Sequence, residues 1–338
     1  MTTALPATDD TRIWNLWLSM YQVPCITVAL ELELFESLDA KPDTPEGLAG
    51  RRGFDLRGVR ALLPMLLQQG LLHLHEGRYQ LNETSRTYML KGSPWNWRGF
   101  YGRVAKTLAS HKLLLETVNN QRALAAKTRA ADGWESGHVD MELAREVTAF
   151  MHSHSVAAAA GMTHTFDFSR TVRMLDVGGG SGCFSIALAK LRPDIRCTVM
   201  ELPTICELVK QYIAQAGVDS QVDTVVVDMF RQAWPSGYDT HFFSNIFHDW
   251  SMETCLELAR SSYAALPAGG RILLHEMLLD DGGLGPMPAV TFSLLMAMGT
   301  KGQQFTFGQL REILQEAGFR NIACRQTYGY FSIVSGEK

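Results

Sequence analysis

The stretch that decides the fold is Leu175-Asp176-Val177-Gly178-Gly179-Gly180-Ser181-Gly182, in which four glycines fall within five residues. A largely apolar run, 172–177, precedes the glycines, and apolar residues at helical spacing follow them from Ile186 onward. This order predicts a strand, a tight turn and a helix N-terminus, a geometry that brings bare backbone N–H groups close to a ligand. The dinucleotide fingerprint G-x-G-x-x-G is not met, because Cys183 stands at the third glycine position.

Acidic residues lie at the ends of three successive apolar runs. Asp176 lies in the first run, Glu201 closes the run 197–200, and Asp228 follows the run 224–227. Strands and helices are predicted to alternate from about residue 166 to 265, which indicates a doubly wound, Rossmann-like α/β sheet. The carboxyl ends of parallel strands share one edge of such a sheet, and ligands bind there. Glu201 is then placed where a ribose diol would sit.

Five motifs, LDVGGGSG, MELP, VVVDMF, FHDWSMETC and GGRILLHEM, occur in this order. The set resembles the S-adenosylmethionine-dependent small-molecule methyltransferases of the plant-type O-methyltransferase family, over roughly the whole chain. The resemblance implies a class I methyltransferase sheet, S-adenosylmethionine as cofactor and a small-molecule acceptor of secondary metabolism. The cofactor-binding residues that it implies are Asp176, Gly178, Gly180, Glu201, Leu202, Asp228, Met229, Phe230 and Ser244. Among these, the two glycines would pass under the methionine part, Glu201 would bind the ribose, and Asp228 and Met229 would flank the adenine.

The resemblance also implies the catalytic pair. His248 follows the mostly apolar run 241–247, which we predict as a strand, and matches the family's general base. Glu276 matches the acid that orients this base. A structural, helix-capping histidine is the alternative for His248. Two departures stand out: Gln304 replaces the family's second orienting acid, and His275 stands where a small apolar residue is usual.

These departures leave two acceptor chemistries open. Two histidines and one carboxylate are a common set for a divalent metal, so His248, Asp249 and His275 form a candidate site for Zn or Fe. Such a metal would stabilise the enolate of a 2-oxo acid for methylation at its β-carbon, and we favour this narrowly. The alternative is O-methylation of a phenolic or enolic hydroxyl with His248 as base. One argument opposes the metal: His275 and Glu276 are neighbours on a predicted strand, and such neighbours point to opposite faces of the sheet, so both are not expected to reach the pocket. The predicted acceptor-binding residues are Met151, His154, Phe292 and Met296.

The N-terminal part of the chain predicts a separate function. We expect a helical and winged-helix dimerisation domain at 1–100, a helical connector and pocket wall at 101–165, and the methyltransferase domain at 166–338. The stripe of apolar residues at 11–38, which includes Trp14 and Trp17, is wide enough to predict cover by a partner chain, hence a homodimer. Packing within the chain is the alternative. A winged-helix DNA-binding regulator is a distant alternative, since six arginines against four acids over 45–90 give little positive charge.

Bulk properties narrow the class of protein further. A formal net charge of −4 argues against nucleic-acid and membrane-surface binding. The six cysteines are scattered without a C-x-x-C pair, which is typical of reduced thiols in a cytoplasmic protein. We see no signal-peptide pattern and expect no run long enough to span a membrane.

Overall fold

The structure, a computed structural model, describes residues 5–93, 96–98, 101, 109–119 and 136–338. The chain divides into two compact units. The first comprises Met1–Thr11, Arg129–Leu278 and Phe305–Lys338, and the second comprises Arg12–Thr128 and Leu279–Gln304. This differs from the three consecutive domains predicted from the sequence, because the stretch 279–304 belongs to the N-terminal unit. Parts of the predicted connector, 102–108 and 120–135, lie outside the described residues.

The second unit is mainly helical. Its elements in chain order are α1 (Thr11–Leu18), α2 (Gln22–Glu31), α3 (Leu34–Ala40), α4 (Pro45–Arg52), α5 (Leu56–Gln68), β1 (Leu72–His75), β2 (Arg78–Leu81), α6 (Glu83–Tyr88), α7 (Ala109–Val118) and, much later, α12 (Met287–Gly299). The Thr44 hydroxyl accepts the Gly47 N–H and caps α4, with Pro45 in the first turn. Helix α5 contains Pro64 and is followed by Gly70 in a left-handed conformation, at φ +69°. The predicted helices and the hairpin β1–β2 are therefore present.

Helix α12 explains why residues 279–304 join this unit. It is apolar on all sides and is buried against α5, with Val290, Leu294 and Met298 in the same core as Leu62 and Leu66. A helix without a polar face needs burial all round. The sequence pattern at 279–304 does not indicate which of the two units provides that burial.

The apolar stripe at 11–38 is covered mostly by the chain itself. Trp14 is 3% exposed and its ring lies 5.8 Å from that of Phe292. The face left open consists of Ile13, Leu16 and Met20, which are 66%, 63% and 53% exposed. Part of the stripe is therefore covered within the chain, and a partner has this narrower face to cover.

The stretch Thr11–Glu31 also corrects the expectation about membrane spans. It is long and apolar enough to qualify as one by length and composition, with 44% of its apolar window buried. Buried helices of globular proteins meet the same criterion, and a short 3₁₀ turn at Ser19–Tyr21 interrupts this one. The stretch is weak evidence for a membrane segment.

A seven-stranded sheet forms the centre of the first unit. Its strands are β3 (Arg173–Val177), β4 (Arg196–Glu201), β5 (Val222–Val226), β6 (Thr240–Ser244), β7 (Arg271–Met277), β8 (Arg320–Gln326) and β9 (Phe331–Glu337). The spatial order is β5-β4-β3-β6-β7-β9-β8; the first five are parallel, and β9 runs antiparallel to both β7 and β8. The strand order reverses between β3 and β6, which is where open α/β sheets bind ligands. Strands β8 and β9 form an antiparallel hairpin that closes the sheet near the C-terminus.

Helices cover both faces of this sheet. They are α8 (Met141–Thr165), α9 (Cys183–Leu191), α10 (Pro203–Ala216), α11 (Met252–Ala265) and α13 (Phe307–Glu316). Neighbouring residues of β6 serve the two faces: Phe242 packs against Phe184 of α9, whereas Phe243 joins the core under α11 and α13. All seven residues of β7 are buried, as expected of a strand covered on both faces. The predicted doubly wound α/β fold is confirmed.

Candidate active site

The glycine turn follows β3, as predicted. Gly178 and Gly180 have φ values of +65° and +57°, which residues with a Cβ atom rarely adopt. A Cβ atom at Gly178 would also lie 2.6 Å from the Ile246 side chain. The N–H of Gly180 donates to Oε1 of Glu201 at 3.1 Å, so the turn is attached to the end of the neighbouring strand β4.

Asp176 has a carboxylate oxygen that no described residue satisfies. The residue is 1% exposed, and its Oδ2 accepts a hydrogen bond from the Ser185 hydroxyl at 2.7 Å. Oδ1 has no partner among the described residues. Burial raises the pKa of this carboxyl to about 6. A buried acceptor beneath Gly179 fits a ligand that brings a hydrogen-bond donor, such as the amino-acid part of S-adenosylmethionine.

Glu201 is tied to backbone amides on both carboxylate oxygens. Oε1 accepts from Gly180 at 3.1 Å and Oε2 from Leu202 at 3.0 Å. Burial raises the pKa of Glu201 to about 7. Each oxygen retains a second lone pair, so the fixed carboxylate can still accept hydrogen bonds from a ribose diol.

The segment after β5 places three of the predicted cofactor residues together. Oδ1 of Asp228 accepts the Phe230 N–H at 3.0 Å, and its Oδ2 pairs with Arg231 at 2.9 Å. Met229 accepts a hydrogen bond from the Trp234 indole at 2.9 Å. Phe230 is 40% exposed, and its ring meets that of Trp250 edge-on at 4.6 Å. Trp250 belongs to the FHDWSMETC motif, but the motif alone does not indicate that its ring contacts Phe230. An exposed aromatic face supported from behind suits a flat purine ring.

His248 lies on a turn rather than directly after a long strand. Strand β6 ends at Ser244, Asn245 takes φ +55°, and Phe247–Asp249 forms a 3₁₀ turn. The predicted strand 241–247 is therefore three residues too long. The His248 side chain is 2% exposed, and its Nδ1 lies 3.2 Å from Oε2 of Glu276 on the adjacent strand β7. The structure thus brings together the two residues predicted as base and orienting acid.

A second carboxylate lies on the other side of the imidazole. Oδ1 of Asp249 lies 3.8 Å from Nε2 of His248, and its side chain is 37% exposed. Burial opposes the charged form of His248, but the carboxylates of Glu276 and Asp249 outweigh it and raise the His248 pKa. Partial burial, offset in part by His248, raises the pKa of Asp249 to about 6.

His275 does not join this group, which corrects the predicted metal set of His248, Asp249 and His275. Its ring is fully buried and stacks on Phe331 at 4.9 Å. Nε2 lies 3.2 Å from the Thr327 hydroxyl and Nδ1 lies 2.9 Å from the Ser244 hydroxyl. Because β7 alternates its faces, Glu276 meets His248 while the preceding His275 points the other way. No group of three or more potential ligand side chains occurs among the described residues.

The hydrogen bonds around His275 assign its tautomer. The Thr327 hydroxyl donates its single proton to the Phe331 carbonyl at 3.1 Å, so it accepts from Nε2–H. Nδ1 is then the acceptor for the Ser244 hydroxyl. Burial lowers the pKa of His275 to about 3, which keeps the ring neutral. Ser244, a predicted cofactor residue, therefore has its proton committed and presents lone pairs.

The predicted acceptor residues fall in both units. Met151 and His154 lie on α8 of the first unit, where Met151 is half-buried and the His154 side chain lies outside the described set. Phe292 and Met296 lie on α12 of the second unit, where both are buried. Gln304, at the position of the family's second acid, is also in the second unit and donates its N–H to the Ser293 hydroxyl at 3.2 Å. Their place in an acceptor pocket stays a prediction.

The sheet order, the glycine turn and the acids at the ends of β3 and β4 define a class I, S-adenosylmethionine-dependent methyltransferase. Residues 112–320 match the O-methyltransferase domain family and residues 14–91 match the O-methyltransferase dimerisation domain family. The chain belongs to the O-methyltransferase family.

Relatives extend the comparison over most of the chain. A 3-hydroxy-5-methyl-1-naphthoate 3-O-methyltransferase of Streptomyces sahachiroi is 31% identical over 92% of this chain and 90% of its own. An L-tyrosine C(3)-methyltransferase of Streptomyces lavendulae is 30% identical over 87% of this chain and 82% of its own. The crystal structure of an O-methyltransferase family 2 protein of Planctomyces limnophilus with apigenin superposes with a TM-score of 0.87 at 22% identity, covering 99% of this chain and 98% of that one. The last of these supports the fold alone.

Proposed function

We propose that this enzyme methylates a phenolic hydroxyl of an aromatic small molecule, with His248 as general base and Glu276 as the carboxylate that orients it. The observation that carries the proposal is the buried His248 imidazole, with Glu276 at Nδ1 and Nε2 on the opposite side of the ring. A base of this kind at neutral pH suits a phenol, whose proton must leave as the new bond forms.

The chain's own residues have few tasks in this reaction. The bound cofactor would supply a methyl group that its sulfonium already activates. Asp176, Glu201 and the turn 178–182 hold it at the edge of the sheet. Nε2 of His248 takes the phenolic proton, and the carboxylate of Glu276 stabilises the resulting imidazolium through Nδ1. The acceptor oxygen must also be aligned with the methyl group, which is a matter of positioning.

The structure weakens the 2-oxo acid hypothesis that the sequence narrowly favoured. Its metal set lacks His275, whose two ring nitrogens are engaged by Ser244 and Thr327. Two carboxyl groups, those of Asp249 and Glu276, lie 3.8 and 3.2 Å from the ring nitrogens of His248. A 2-oxo acid would bring its own carboxylate to this acidic surrounding, whereas a neutral phenol would not.

A second candidate is methylation at the ring carbon next to a phenolic hydroxyl. The relative named as an L-tyrosine C(3)-methyltransferase, at 30% identity, favours it. The same base, His248, serves this reaction, because a phenolate is nucleophilic at its ortho carbon as well as at oxygen. The ring proton at that carbon then leaves to solvent as aromaticity is restored. Regiochemistry then depends on which atom the acceptor pocket points at the methyl group.

We further propose that the enzyme acts as a homodimer in the cytoplasm. The dimerisation-family match at 14–91 includes the exposed Leu16 and Met20, next to Ile13. Exposed apolar side chains on one helical stretch are suited to burial against a second copy.

The test is a comparison of acceptor classes with isotopically labelled S-adenosylmethionine. Purified enzyme is incubated with a hydroxynaphthoate, N-acetylserotonin, L-tyrosine and a 2-oxo acid, and products are analysed by mass spectrometry and NMR. We expect an O-methyl product from a phenol. A C-methyl product on the phenol ring would favour the second candidate, and exclusive methylation of the 2-oxo acid would overturn the proposal.

A further inference from the structure

We propose that His152 is a positioning residue that holds the glycine turn 178–182 in its cofactor-binding shape through Ser181. The imidazole Nδ1 lies 2.8 Å from the Ser181 hydroxyl, although the two residues belong to α8 and to the turn after β3. His152 takes no part in the proton transfer described above. The inference rests on the S-adenosylmethionine site of the proposed function.

Ser181 is the only residue of the turn with a side chain. The other four, Gly178, Gly179, Gly180 and Gly182, have only backbone to hold them. The turn makes one internal hydrogen bond, from Gly182 N–H to the Gly179 carbonyl at 2.8 Å, and reaches β4 through Gly178 and Gly180. Ser181 is 3% exposed, and its hydroxyl is therefore the only side-chain group of the turn with which a side chain of another element can form a hydrogen bond.

His152 is itself fixed from a third element. Its ring lies against the ring of Tyr212 on α10, with centroids 4.6 Å apart and planes inclined by 32°. Burial lowers the pKa of His152, so the ring is neutral at physiological pH and pairs with a hydroxyl rather than with an anion. The contact thus links α8, the glycine turn and α10 within the first unit.

Loss of this link has a consequence for binding. Glycine loses more conformational freedom on ordering than any other residue. A turn without its side-chain anchor would sample more shapes, and the bound cofactor would then have to restrict them at the cost of affinity. The anchor should therefore affect the dissociation constant of the cofactor more than the rate of methyl transfer at saturation.

The experiment is a double-mutant cycle on S-adenosylhomocysteine binding, measured by calorimetry with the full-length chain. His152→Phe keeps a ring beside Tyr212 but removes the nitrogen, Ser181→Ala removes the hydroxyl, and His152→Asn keeps a polar atom near the Nδ1 position. We expect His152→Phe to weaken binding about 5- to 10-fold, the equivalent of one hydrogen bond. The double variant should bind about as well as the weaker single variant, and His152→Asn should recover most of the loss. His164→Phe, an exposed position on the same helix, is the matched control.

A merely structural role for His152 predicts a different pattern. It would lower the melting temperature without coupling to Ser181 and without rescue by asparagine. Wild-type affinity in folded His152→Phe, or additive losses in the cycle, would overturn the proposal; if His152→Phe does not fold, wild-type affinity in Ser181→Ala would do so. Because S-adenosylhomocysteine binds without an acceptor, failure of the phenol assay leaves this result interpretable. With an active acceptor, the KM for the donor should rise while kcat is retained.

Discussion

Glu276 holds both the side chain of His248 and the backbone that carries it. One carboxylate oxygen, Oε1, accepts the N–H groups of Ile246 and Phe247 at 3.1 and 3.0 Å, and the other, Oε2, lies 3.2 Å from Nδ1 of His248. The same carboxylate therefore sets the position of the turn, the orientation of the ring and the charge beside it. Substitutions can separate these three effects.

Replacement of Glu276 by Gln should lower the plateau of kcat/KM about 10- to 100-fold and move its acid limb to lower pH. The amide oxygen can still accept the two backbone N–H groups, but the negative charge at Nδ1 is gone. That charge raises the His248 pKa in the wild type. Since the base must be neutral to accept a proton, a raised pKa places the acid limb above the usual pH for histidine, and its removal moves the limb down.

A pH profile of kcat/KM for both enzymes measures this shift. The apparent pKa values belong to the coupled group of His248, Asp249 and Glu276 rather than to one residue. An unchanged acid limb in Glu276→Gln would contradict the charge coupling, even if the rate falls. The melting temperature serves as the control for a displaced turn.

Replacement of His248 by Ala should reduce kcat/KM by about 10²- to 10⁴-fold, the usual contribution of a general base. Cofactor affinity should stay within about twofold, because His248 is distinct from Glu201, which accepts the Gly180 N–H, and from the Asp176–Ser185 pair. Steady-state kinetics and calorimetry with S-adenosylhomocysteine measure the two effects. Full activity in this variant would rule out His248 as the base and leave it with a structural role.

Replacement of Asp249 by Asn should lower the KM for acceptors that carry a carboxylate beside the reacting hydroxyl. The Asp249 carboxyl lies 3.8 Å from His248 Nε2, and removal of its charge relieves repulsion worth about 1 kcal/mol in a solvated site. We expect the ratio of KM for an ortho-hydroxybenzoate to KM for its amide to fall about fivefold. A ratio that does not change would show that Asp249 does not face the acceptor.

Replacement of His275 by Leu should destabilise the protein by about 1–3 kcal/mol. The substitution removes the acceptor of the Ser244 hydroxyl, the donor to the Thr327 hydroxyl and the stack on Phe331. Urea unfolding followed by fluorescence measures the loss. His73→Leu, at an exposed position of the hairpin, should cost no more than about 0.5 kcal/mol.

Prolonged dialysis against a chelator should leave methyl transfer to a phenol unchanged. The predicted metal set loses His275, since its Nδ1 lone pair accepts the Ser244 hydroxyl. Activity before and after dialysis, with metal content measured by mass spectrometry, checks this expectation. If dialysis abolishes activity and added zinc or iron restores it, the result would support the metal hypothesis and contradict this prediction.

The sequence predicted the parts of the site that follow from local pattern. The glycine turn and the acids at the ends of β3 and β4 depend on period and turn chemistry over a few residues. The pairing of His248 with Glu276 was predicted from the family motifs. The parallel register of β6 and β7 brings the turn after β6 next to Glu276. The strand through 241–247 was overestimated because apolar residues continue into a buried turn, and the pattern does not distinguish the two.

What the sequence did not predict depends on contacts between distant segments. The direction of His275 follows from strand alternation, but its hydroxyl partners come from β6 and from the segment between β8 and β9. The contact of His152 with Ser181 joins residues 29 positions apart, and no local pattern signals it. The membership of α12 in the N-terminal unit is of the same kind.

The position of α12 affects how the protein is made. Its residues Val290, Leu294 and Met298 complete a core whose other side chains lie between Cys25 and Val118. During synthesis, the N-terminal unit therefore waits for about 170 residues of chain after Val118 before it can bury that core, as α12 begins at Met287. A nascent chain that has ended before α12 exposes an apolar cleft between its first helices, which is a surface that chaperones bind and that aggregates form from. Truncations that remove α12, Met287–Gly299, should consequently impair the first hundred residues as well as the segment that is lost.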